Sequence, residues 1–111
     1  MRCSTPLVSL GLAAIIALST TYAHAVDPAN GKVLARQCQT CHGINGIAQI
    51  PIAPNIAGES QIYLELQLKR FRSGQREHEM MTVVAKNLTD SEIEDLAAWY
   101  ESIKVTATLP E

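Results

Sequence analysis

Two cysteines that are two residues apart, with a histidine directly after them, constrain this chain more than any other feature. They are Cys38, Cys41 and His42, in the run C-Q-T-C-H. This spacing is typical of a c-type haem attachment site, because each thiol can form a thioether with one vinyl group of the macrocycle. The histidine then lies beneath the ring, where its imidazole can bind the iron. The motif therefore predicts two covalent tethers and one axial ligand.

Two other kinds of site share part of this pattern. A thioredoxin-like dithiol usually lies beside a βαβ pattern, and no strand-rich stretch occurs here. A closed zinc site needs four ligands, but beyond the motif the chain after residue 25 offers only His78 as a further Cys or His. A haem site is therefore the preferred interpretation.

The length of the chain, 111 residues, allows one small domain. Its 9 Lys and Arg against 11 Asp and Glu give no basic excess of the kind that nucleic-acid binding requires. A domain of this size buries little surface and often needs a cross-link or a bound cofactor for stability. A covalently bound haem would supply that stabilisation and much of the apolar core, in a chain with only one Trp and one Phe.

The first 25 residues have the pattern of a secretory signal peptide. Arg2 is followed by the apolar run from Leu7 to Leu18 and by the small-x-small site Ala23-His24-Ala25. The run is short for a membrane span, so an uncleaved anchor is the less favoured alternative. We expect cleavage after Ala25, a domain over residues 26–111, and export to the periplasm, where bacterial c-type haem attachment takes place.

Capping signals predict an all-α domain. Its first helix begins at Asp27-Pro28 and runs through Cys38, its second is capped by Ser60 and ends near Ser73, and its last follows the T-D-S-E capping box at Thr89 and ends near Ile103. The second helix has a broad apolar face of Ile62, Tyr63, Leu64, Leu66, Leu68 and Phe71.

Residues 43–58 are rich in Gly and Pro, which predicts a loop. The loop is unusually apolar and is therefore expected to wrap around the haem. A backbone carbonyl of this loop could accept the Nδ1–H of His42 and fix the orientation of the imidazole. The remaining axial position has three candidates within four residues, His78, Met80 and Met81, and spacing alone does not choose among them. A methionine there would raise the reduction potential and block substrate binding, as in an electron carrier.

The chain resembles the small bacterial class I cytochromes c, and especially one half of the dihaem c-type cytochromes. The resemblance runs from Gly31-Lys32 through C-Q-T-C-H-G and P-N-I-A-G to E-M-M and L-T-D-S-E-I-E-D-L-A-A-W-Y. It implies three to five helices around one haem, with the first and last helices crossing at Gly31 against Trp99 or Tyr100.

The resemblance also implies the residues of the site. Cys38 and Cys41 would bind the haem, His42 and Met81 would be the axial ligands, and the Pro54 carbonyl would accept a hydrogen bond from His42. Met81 is implied because the family's methionine lies seven residues before the leucine that precedes the last helix, here Leu88. Met80 and His78 are the fallback ligands, and Glu79 stands where the family usually has proline before the methionine.

These features predict a periplasmic one-electron carrier rather than an enzyme. Its partners would be redox proteins: a dehydrogenase or membrane cytochrome complex as donor, and an oxidase or reductase as acceptor. The alternatives are a haem subunit held tightly by a dehydrogenase, such as a flavoprotein oxidising sulfur compounds, and a haem sensor or enzyme with a labile sixth ligand. The haem edge is expected among the loop Ile44–Pro51 and the methionine segment.

Overall fold

The computed structural model describes residues 23–111, and in this part of the chain the regular elements are five α-helices and one 3₁₀ turn. The predicted all-α class is thereby confirmed. No helix of these residues is long and apolar enough to cross a membrane. The proposed signal peptide lies outside the described residues except for its last three positions, and remains a prediction. The elements are α1 (Pro28–Leu34), the 3₁₀ turn (Ala35–Gln37), α2 (Gln39–His42), α3 (Gln61–Ser73), α4 (Met81–Ala85) and α5 (Asp90–Ser102).

Local capping explains where the longer helices begin. The Asp27 side chain accepts a hydrogen bond from the Ala29 N–H, 2.8 Å away, and Pro28 occupies the first helical position. Thr89 and Glu92 form the predicted capping box at the start of α5. The starts of α1, α3 and α5 therefore agree with the sequence.

Three expectations require correction. The helix predicted through Cys38 ends at Leu34, and the chain tightens into a 3₁₀ turn before α2. The short helix α4 had not been predicted. On α3, Ile62 is 81% exposed and Leu66 is 45% exposed, so the buried face of this helix is narrower than its apolar pattern suggested.

The first and last helices cross at Gly31. A Cβ atom placed on Gly31 would overlap the backbone carbonyl of Asp95 and would lie 2.9 Å from the Trp99 Cβ. Glycine is therefore required here by close approach of α5, although it is a poor helix former. The crossing expected from the family resemblance is present.

A buried carboxylate ties the two helices together. Asp95 is 1% exposed, and it accepts hydrogen bonds from the Asp27 N–H at 2.7 Å and from the Asn30 Nδ2 at 2.8 Å. The His24 Nε2 also lies 3.0 Å from the same carboxylate, in the segment that the predicted cleavage after Ala25 would remove. Burial opposes ionisation, but these hydrogen bonds outweigh it and lower the pKa of Asp95 below its ordinary value.

Asp95→Asn is expected to lower the free energy of unfolding by about 2 kcal/mol at pH 7, because charge-assisted hydrogen bonds are lost. Folding lowers the pKa of Asp95, so its carboxylate stabilises the folded state fully above the unfolded pKa of about 3.9. This stabilisation is lost as the pH falls through the pKa of the folded state. Urea titrations between pH 3 and pH 7 should therefore show a flatter pH dependence for the variant. Asp90→Asn, at an exposed carboxylate paired with Arg72, serves as the control and should change stability less. An Asp95→Asn curve parallel to wild type would contradict the argument.

The buried core lies mainly between α3 and α5 and ends at a large cavity. Its members are mostly aliphatic or small, and Phe71 and Tyr100 are the aromatic residues among those described as buried. The buried cluster comprises Ala35, Leu64, Phe71, Ala85, Leu88, Ile93, Leu96, Ala97 and Tyr100.

Candidate haem site

A cavity of about 430 Å³ brings together the cysteine motif and the methionines. This volume lies within the usual range for cofactor pockets. Cys38, Cys41 and His42 line it together with Met80 and Met81, which are some forty residues further along the chain. The remaining wall is largely apolar and includes Ile50, Ile52, Ile56, Leu64, Leu68, Phe71, Val84, Leu88, Leu96 and Ala97.

His42 ends α2 and is buried. Its Nδ1 lies 2.9 Å from the carbonyl oxygen of Pro54. Because a carbonyl can only accept, Nδ1 carries the ring proton and Nε2 keeps a lone pair that can bind a metal. The cavity is lined by Ile50 and residues 52–56, which belong to the loop 43–58 that was expected to wrap around the haem; of the Ile44–Pro51 stretch expected at the haem edge, Ile50 lines the cavity.

The two cysteines are partly buried free thiols. Burial raises the pKa of the Cys38 thiol to about 11, an effect that the nearby Tyr100 opposes and Cys41 reinforces. The thiol of the polypeptide is therefore protonated at neutral pH in this environment. The 3₁₀ turn brings Cys38 to the start of α2, so that Cys41 follows within one helical turn.

Two aromatic residues of α5 hold the backbone that follows His42, a role that the sequence had not suggested. The buried Tyr100 hydroxyl donates to the Gly43 carbonyl at 3.2 Å, and the Trp99 Nε1–H donates to the Ile44 carbonyl at 3.0 Å. Burial also raises the pKa of Tyr100, so this hydroxyl remains a donor throughout the neutral range. The sequence showed both residues only as part of an apolar helix face, although buried Tyr and Trp usually need a polar partner.

The three candidates for the sixth ligand all line the cavity. Met81 is partly buried and packs against the core cluster, whereas Met80 is 56% exposed. His78 is exposed and precedes both. The structure therefore brings together His42, both cysteines, Pro54 and all three candidates.

The donor set fits a covalently bound haem. Two thiols and an imidazole with a free lone pair come from one short peptide, and thioether sulfurs come from a distant segment that lines the same apolar cavity. Arg76 also lines the cavity, over the Phe71 ring at 4.5 Å, and could face an acidic group of a bound cofactor.

Comparison with known proteins agrees with this chemistry. Residues 28–104 match the family described as cytochrome c. The chain is 42% identical over 79 residues to cytochrome c-554(548) of Halomonas halodenitrificans, an alignment that covers 68% of this chain and 95% of that protein. It is 34% identical over 106 residues to cytochrome c4 of Pseudomonas aeruginosa, covering 95% of this chain and 49% of the relative.

The fold is similar to the crystal structure of reduced recombinant cytochrome c4 from Pseudomonas stutzeri. The TM-score is 0.67 at 31% identity, and the match covers 72% of this chain and 47% of the other. The chain thus spans about half the length of the cytochrome c4 proteins that it matches and nearly the whole length of the Halomonas protein.

Proposed function

This chain belongs to the cytochrome c family, and from that membership we propose that it is a periplasmic one-electron carrier with a single haem c. Cys38 and Cys41 would hold the haem, and His42 and Met81 would be the axial ligands. When bound, the haem supplies an iron that cycles between ferric and ferrous. The chain therefore needs to supply two fixed ligands and a route of approach for redox partners, but no substrate pocket.

The observation that carries this proposal is the presence of His42 and Met81 on one apolar cavity. The Pro54 carbonyl fixes the His42 ring in the tautomer that leaves Nε2 free. Tyr100 and Trp99 hold the backbone just after it. Ligands supplied by the chain at both axial positions favour electron transfer over substrate or gas binding.

Electron transfer also needs a surface that partners can approach. Ile52 is 69% exposed and Met80 is 56% exposed, and both line the cavity, so they indicate where it meets solvent. Both are uncharged, which permits close approach in a short-lived complex. Two cations of α3 are paired within the chain, because Arg72 pairs with Asp90 and the Lys69 Nζ lies 3.8 Å from Glu65.

A freely diffusing carrier is preferred here over a permanently bound subunit. A permanent complex usually buries a large apolar face. Of the described residues, the exposed apolar side chains outside the cavity are distributed over several elements, including Val33 on α1, Ile62 on α3 and Val83 on α4. Donor and acceptor would be redox proteins such as a dehydrogenase or a membrane cytochrome complex on one side and an oxidase or reductase on the other.

Met81→Ala tests the ligand assignment, with Met80→Ala as the matched control. Met81→Ala is expected to abolish the weak absorption band at the red end of the visible spectrum, here called the near-red band, that marks methionine ligation in the ferric state. It should also let the ferrous protein bind carbon monoxide and should lower the reduction potential. Met80→Ala should change none of these. If wild type lacks the band and binds carbon monoxide readily, the sixth position is open and the carrier function is wrong.

A further inference from the structure

The imidazole of His78 is engaged by the backbone of both methionines. Its Nδ1 lies 3.2 Å from the backbone nitrogen of Met80 and 3.4 Å from that of Met81. Both nitrogens are N–H donors, so Nδ1 accepts, and the ring proton of neutral His78 is assigned to Nε2. In this arrangement neither ring nitrogen has a free lone pair for iron.

His78 and Thr82 complete a reciprocal cap around the start of α4. The His78 N–H donates to the Thr82 Oγ1 at 3.0 Å, and the Thr82 N–H donates to the His78 carbonyl at 2.9 Å. The side chain thus accepts from the second and third residues after it, in the pattern of an N-cap side chain, although the residue directly before α4 is Met80, whose own side chain makes no cap hydrogen bond. Histidine is not a favoured N-cap, so its presence here is not explained by ordinary helix capping.

The residues whose N–H groups donate to His78 are the two methionines, Met80 and Met81. α4 has only five residues, Met81–Ala85, so it has little stability of its own. Glu79 precedes Met80 and, unlike a proline, leaves the φ angle at this position unrestrained. The two hydrogen bonds from Met80 and Met81 supply a restraint at this point.

We propose that His78 is a positioning residue for the methionine ligand and not a ligand itself. By fixing the backbone of Met80 and Met81, it holds the Met81 side chain toward the cavity and makes exchange of that ligand unfavourable. This inference rests on the proposed His42 and Met81 ligation. It identifies the two hydrogen bonds to His78 as the restraint on the backbone of the ligand segment.

The test is competition for the ferric iron by added imidazole, measured on the holoprotein for wild type, His78→Ala and His78→Asn. His78→Ala should bind imidazole about tenfold more tightly, because loss of the cap weakens the hold on Met81, and about tenfold corresponds to about 1.4 kcal/mol. His78→Asn restores an N-cap acceptor and should stay within about threefold of wild type. Glu79→Ala, one residue away, is the matched control and should behave as wild type.

The near-red band and the reduction potential are recorded on the same samples. In His78→Ala the band should persist without added imidazole and disappear at lower imidazole concentration than in wild type. Titrations run well below the unfolding temperature, with circular dichroism as the folding check, separate loss of ligand restraint from loss of fold. His78→Asn keeps the test valid if the alanine variant folds poorly.

Two outcomes would overturn the inference. Equal imidazole affinity in wild type and His78→Ala would show that the cap does not restrain the ligand. Loss of six-coordination in His78→Ala, with its retention in Met81→Ala, would make His78 the ligand. Failure of the proposed function is distinct from both, because wild type would then lack the near-red band and also bind carbon monoxide readily, before any variant is compared.

Discussion

A chain in which both motif cysteines are replaced, Cys38→Ala with Cys41→Ala, is expected not to form a stable folded domain. Without the tethers the cavity of about 430 Å³ loses its covalent occupant. The apolar side chains that line it would then be exposed to water, and the burial lost is comparable in effect to the whole stability of a small domain. Near-ultraviolet circular dichroism and urea titration should show no cooperative tertiary transition.

The matched control lies inside the same motif. Thr40 is exposed between the two cysteines, and Thr40→Ala should retain haem through denaturing electrophoresis and unfold as wild type does. The single variant Cys38→Ala keeps one thioether, so its stability should be intermediate between that of Thr40→Ala and that of the double variant. A double variant that unfolds cooperatively without haem would show that the core between α3 and α5 is sufficient by itself.

Gly31→Ala is expected to destabilise the holoprotein by about 3 kcal/mol, and Gly31→Val by more. The added Cβ would overlap the Asp95 carbonyl, which belongs to helix backbone and cannot move aside as a side chain can. This effect is opposite in sign to that at a solvent-exposed helix position, where replacing glycine by alanine stabilises the helix by about 1 kcal/mol. Denaturant midpoints at an unchanged slope provide the measurement.

Val33→Ala on the same helix is the control for that experiment. Val33 is 56% exposed, so its replacement should change stability by no more than about 0.5 kcal/mol. If Gly31→Ala instead stabilised the protein as helix propensity alone would predict, α1 and α5 would have to lie further apart than the structure places them.

The parts of the fold that were predictable are those encoded by local chemistry. The cap at Asp27 and the capping box at Thr89 involve atoms only two or three residues apart, so the sequence displays them directly. The attachment motif is local in the same sense. The family resemblance supplied what local pattern could not, namely the preference for Met81 over its neighbours and the crossing at Gly31.

The remaining features depend on contacts that the sequence does not display. Periodicity marked an apolar face on α3, but only the position of α5 and the cavity decides that Leu64 is buried while Ile62 is exposed. The helix through Cys38 was predicted from apolar spacing, which does not reveal the 3₁₀ turn before α2. α4 was missed because it is short and no side chain of the usual capping set marks its start, where the N–H groups of Met80 and Met81 donate to the imidazole of His78.

The hydrogen bonds from Asp27 and Asn30 to Asp95 also bear on when the two ends of the domain can meet during folding. They join residues 65 and 68 positions apart, and closing a loop of that length costs roughly 4 kcal/mol of chain entropy. A chain that emerges amino end first therefore presents α1 and the two cysteines long before the helix that covers Gly31 has been made. Until the carboxyl-terminal helix arrives, Cys38 and Cys41 remain on an open polypeptide, accessible to the chemistry that must modify them.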